Sequence, residues 1–88
     1  MERTKVYELI DSERSYQDRK WNELTTTSKG FHSPEDWFMS IEDYVNEARH
    51  ILSREARQIA YPKAMEIMRK VGAMAVHAME QIDTVPRR

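Results

Sequence analysis

The sequence predicts an all-α fold: a compact bundle of three main helices in a single domain over residues 1–88, oligomerising through the apolar third helix. Three observations lead there. Apolar residues recur at three- and four-residue steps along most of the chain, the spacing of a helix face. Only 2 glycines and 3 prolines punctuate that pattern. No run of alternating β-branched residues reads as a strand.

The first helix is expected over 4–24, with an apolar stripe of Val6, Leu9, Ile10, Trp21 and Leu24. Glu13, Arg14 and Gln17 fill the middle of that face, and Ser12 could cap a second start. Residues 25–30, Thr-Thr-Thr-Ser-Lys-Gly, read as a loop. The next boundary is the clearest: Ser33 can cap, Pro34 fits the first helical position, and Glu35 and Asp36 suit the positive end of the dipole. Trp37, Ile41, Tyr44, Val45, Ala48, Ile51, Leu52, Ala56 and Ile59 then carry a second helix over 34–60. Pro62 is expected to end it, because the residue before proline avoids helical geometry, and to open a third helix over 62–83. Val85-Pro86-Arg87-Arg88 reads as a frayed tail.

The third helix is apolar on most sides. Ala64, Ile67, Met68, Val71, Met74, Ala75, Ala78 and Ile82 form one stripe, and Met65, Gly72, Val76 and Met79 form another beside it. Only Glu66, Lys70, His77 and Glu80 make a polar ribbon. Such a helix either lies wedged between its two partners or packs its second stripe on another subunit, and small residues such as Gly72 and Ala73 allow close approach. A short chain has a thin core of its own, so we expect a homo-oligomer.

Composition narrows the function. Lys plus Arg number 14 and Asp plus Glu 15, a net charge of −1, without the basic excess of a nucleic-acid binder. With no cysteine, disulfides and thiolate metal sites are excluded. The longest apolar run, Val71 to Val76, is far too short for a membrane span, and the first residues do not read as a secretory signal. Cytoplasmic localisation is the expectation.

Three constellations could carry chemistry. On the first helix Trp21 offers a surface for stacking a base, while Arg14, Gln17 and Lys20 offer hydrogen-bond donors; the same residues also suit an amphipathic helix plugged by a tryptophan. On the second, Glu42, Asp43 and Glu47 are oxygen ligands of the kind Mg²⁺ prefers, although periodicity spreads them around the helix. On the third, Arg69, Lys70 and His77 could meet a polar ligand, with Glu66 on the same ribbon as Lys70 and His77. No histidine pair has metal-ligand spacing, and there is no phosphate-cradling glycine loop.

The chain resembles small phage-encoded proteins of the MazG-like, all-α nucleotide pyrophosphohydrolase type. The resemblance lies in Glu13-Arg14, Tyr16-Gln17-Asp18-Arg19-Lys20-Trp21, His32-Ser33, Trp37, Glu42-Asp43, Glu66-Ile67, Arg69-Lys70-Val71, Ala78-Met79-Glu80-Gln81 and Pro86-Arg87-Arg88. It implies a helical core, oligomerisation and a nucleotide pocket. It also implies Mg²⁺ held by two pairs of acids, Glu-x-x-Glu and Glu-x-x-Asp. Here the first pair falls at Tyr44-Val45-Asn46-Glu47, or at Asp43 with Asn46, and the second at Glu66-Ile67-Met68-Arg69, so each lacks one acid.

The resulting expectation is a non-catalytic protein without cofactor that binds or sequesters a nucleotide or cyclic-nucleotide signal, a sponge against host defence in the host cytoplasm if phage-encoded. Its ligand residues would be Arg14, Gln17, Lys20, Trp21, Arg69, Lys70 and His77. The alternative is a Mg²⁺-dependent nucleoside triphosphate pyrophosphohydrolase using Glu42, Asp43, Glu47 and Glu66. A second alternative is a protein that binds and inhibits a host protein. None involves nucleic acid or a membrane.

Overall fold

A computed structural model describes residues 1–24 and 32–87, with side chains at 1–20 and 32–87. It consists of three helices, α1 (Arg3–Leu24), α2 (Pro34–Arg54) and α3 (Arg57–Gln81), with no strand among the described residues. No helix is long and apolar enough to cross a membrane. α1 matches the expected first helix within a residue and is not restarted at Ser12. The loop expected at 25–30 lies outside the described residues, as does Arg88.

The start of α2 forms as its residue types dictate. Ser33 is extended, its Oγ accepts a hydrogen bond from the Asp36 N–H at 3.2 Å, and the Asp36 carboxylate accepts one from the Ser33 N–H at 3.1 Å. This reciprocal box satisfies backbone donors that a helix start leaves open, with Pro34 where no donor is needed.

The boundary between the second and third helices differs from the expectation. α2 stops at Arg54 rather than 60, Glu55 and Ala56 are extended, and α3 begins at Arg57, so Pro62 lies inside it. α3 also stops at Gln81 rather than 83. Pro62 falls in the second turn of α3, where its missing N–H leaves only the carbonyl of exposed Gln58 for water to satisfy. Turning early folds Ala60 back against the core, where it is 1% exposed. Ser53 Oγ donates to the His50 carbonyl at 2.9 Å, and Lys63 spans the corner to Glu55 at 2.9 Å. Ile59 and Ala56, expected on the inner face of a longer second helix, are exposed at this corner instead.

α2 and α3 form an antiparallel hairpin, in which Trp37 at the start of α2 meets Gln81 at the end of α3. On α2 the positions with reduced exposure are 37, 41, 44, 48 and 51, alternating four- and three-residue steps. Opposite them lie Ala60, Ile67 and Met74, each seven residues on from the last and buried. α1 packs across another side of α3, and among the described residues its backbone does not contact that of α2. α3 is therefore the shared element of a slab 39 × 33 × 25 Å. That position accounts for much of its apolar excess: Gly72, expected to admit a neighbouring subunit, admits Ile10 of α1. A Cβ added there would stand 3.3 Å from Ile10 Cδ1.

Candidate functional site

Among the described side chains of α1 the inward positions are Ile10, Glu13, Arg14 and Gln17, one apolar residue and three polar ones. Glu13, Arg14 and Gln17 are buried, the last only 5% exposed. A helix that buries charge must find partners for it, since an isolated ion leaves water at a cost of several kcal/mol. α3 supplies them. Arg69 Nε donates to Glu13 Oε1 at 2.8 Å. The Arg14 guanidinium grips Glu80 with two bonds of 3.0 Å and also holds Asp18, one turn along α1. Gln17 Nε2 donates to the Lys70 carbonyl at 3.3 Å, while Gln17 Oε1 is buried with no hydrogen-bond partner among the described residues.

Burial works against the Arg14 charge, but the hydrogen bonds it donates to Glu80 and Asp18, with their negative charge, outweigh burial and raise its pKa. His77 behaves oppositely. Burial lowers its pKa, and the nearby Arg14 charge lowers it further, against smaller opposition from Asp18 and Glu80. Its ring packs on Trp37 with centroids 4.9 Å apart, and Gln81 Nε2 lies 3.3 Å from its Nε2. Trp37 Nε1 donates to Gln81 Oε1 at 3.1 Å, and His32 meets the indole edge-on.

Of the residues expected to contact a ligand, the fold draws Arg14, Gln17, Arg69 and His77 into this seam. The backbone of Lys70 joins them, but its side chain turns to α2 and lies over the Tyr44 ring, 5.8 Å from the centroid. Arg69 and Lys70 thus serve different helices. Lys20 is exposed, 6.0 Å from the Tyr16 centroid. Trp21 is helical, but its side chain lies outside the described residues.

The acids of the alternative reading are not gathered. Asp43 and Glu47 line an open depression on α2 with Ser40 and Tyr44, whereas Glu66 lines a groove that α3 shares with Val6 and Leu9 of α1. Glu42 is exposed, and periodicity turns it away from α3. Among the described residues no three His, Asp or Glu side chains could jointly hold a metal ion. The residues fit a Mg²⁺ site poorly.

Glu80, Asp18 and Gln81 were not anticipated as members of the seam. Arg14 and Asp18 are four residues apart, a spacing that signals a helical ion pair. The Glu80 and Gln81 pairings span 66 and 44 residues and leave no local trace.

No family model, curated protein or solved structure matches this chain. The functional reading therefore rests on the residues and their geometry.

Proposed function

We propose that this chain is a non-catalytic binding protein that takes a nucleotide-like anion at the α1–α3 seam and works as a homo-oligomer assembled through α3. The observation that carries the reading is Gln17, almost fully buried at the centre of a charged seam with an acceptor oxygen that no described donor satisfies. Leaving such an atom unpaired costs about 1–3 kcal/mol, which a ligand donor such as a base amino group would recover once α1 swings away enough to admit it. Lys20, exposed one turn further along α1, adds a cation for phosphate without breaking an internal ion pair. Arg14 is a poorer donor than its type suggests, because Glu80 and Asp18 already occupy it.

In a phage, a setting that only the resemblance suggests, such binding would sequester a nucleotide signal. The pyrophosphohydrolase reading would need Asp43, Glu47 and Glu66 brought together by some rearrangement, and nothing in the geometry favours it over binding.

Titrating the protein with nucleoside triphosphates and cyclic dinucleotides, each with and without Mg²⁺, tests the proposal. A ligand that binds the folded chain raises its melting temperature in proportion to the logarithm of concentration. The rise is expected without pyrophosphate release, and Lys20→Glu should weaken it. Mg²⁺-dependent release of pyrophosphate would establish the enzyme instead. Silence across the panel, with a host protein retained on the immobilised chain, would establish the inhibitor.

A further inference from the structure

Around the axis of α3, residues facing α1 (Arg69, Gly72, Glu80) and those facing α2 (Ile67, Met74, Gln81) leave one apolar sector between them. It carries Met68, Val71, Ala75 and Met79, which fall within a narrow arc at helical spacing and include no charge. Met68 is 59% exposed and Met79 49%. On α2 the flank beside this arc carries Phe38 and Val45, seven residues apart and also exposed. Phe38 of α2 and Ala75 and Met79 of α3 are among the residues lining an apolar groove of about 280 Å³ between the two helices.

We infer that this α2–α3 face is buried against the same face of a second copy of the chain. The inference rests on the oligomer reading above and specifies its surface, which keeps Met79 of the stripe Met65, Gly72, Val76 and Met79 that the sequence alone suggests but otherwise lies beside that stripe. Area is the deciding quantity. The chain exposes 7448 Å², whereas a folded monomer of 10.5 kDa exposes about 5,400 Å². Its radius of gyration is 14.5 Å against about 12 Å for a compact domain of this length. The excess, about 2,000 Å² over the whole molecule, is larger than the ~800 Å² that each partner of an ordinary complex removes from water, and the exposed Phe38, Met68 and Met79 contribute to it. The arc from Met68 to Met79 carries no charge and has no ion pairs to misalign when it meets itself across a two-fold axis, Asp83 alone being a charged lining residue of the adjoining groove, and a net charge of −1 adds little self-repulsion.

The wild-type chain supplies the first test. Sedimentation should find it assembled, and brief peroxide oxidation read by mass spectrometry should modify Met68 and Met79 several-fold more slowly than Met39. Met39 is 67% exposed on the outer side of α2. Equal rates in an assembled protein would overturn this face while leaving the oligomer reading intact. A monomer at every concentration would overturn both. Among variants, Phe38→Glu and Met68→Glu should yield helical monomers and Met39→Glu should not; assembly that survives both of the first two would again exclude the face.

Discussion

His77 shows how one residue ties the seam to solution conditions. Burial and the Arg14 charge hold its pKa below the usual imidazole value. An unfolded histidine titrates near 6.5. As pH falls, the unfolded chain therefore takes up this proton before the folded one. The stability that His77 preserves is present above about pH 6.5 and is lost as pH falls from there through the folded value. Melting temperature measured from neutral to mildly acid pH should decline in the wild type and decline less in His77→Gln. Parallel curves would show that the ring is not the titrating group. The charge at Arg14 and the amide at Gln17 are plain in the sequence, yet their partners are not. Glu80 and the Lys70 carbonyl reach them only through the crossing of α1 over α3.

At the scale of elements, local chemistry is legible where local forces decide. The Ser33–Asp36 box needs four consecutive residues and nothing else, so it forms as the sequence implies. Ser33→Ala should lower stability by about 1 kcal/mol in denaturant unfolding, since it strands a helix-start donor. Pro62 is the opposite case. Its residue type argues for a boundary, but burying Ala60 and closing the α2–α3 corner outweigh one lost backbone bond. Pro62→Ala should restore that bond and raise stability, by up to about 3 kcal/mol, the penalty for proline in a helix interior. A loss of stability would mean that Pro62 itself shapes the corner.

At the scale of the molecule, the two halves of the slab are held by different forces. The α2–α3 hairpin encloses Trp37, Ala60, Ile67 and Met74, whereas the buried side chains of α1 among the described residues are polar and meet α3 through ion pairs and one amide, beside the Ile10–Gly72 contact. Pairs with a half-exposed partner are screened and contribute little each, so α1 should open without the hairpin unfolding. Hydrogen exchange should find amides around Ile10 to Gln17 less protected than those of Ile67 to Met74, more so at high salt. Uniform protection would make the three helices one cooperative unit.

Helix number, the start of α2 and the apolar excess of α3 follow from the sequence alone, because capping chemistry and three- to four-residue periodicity act between neighbours along the chain. Tertiary structure alone decided where α2 ends, that Gly72 receives Ile10, which carboxylates occupy Arg14 and Arg69, and which face of α3 stays open. Those outcomes depend on how helices cross and how much area each crossing buries. Residues far apart in sequence set that balance together, and no local pattern records it.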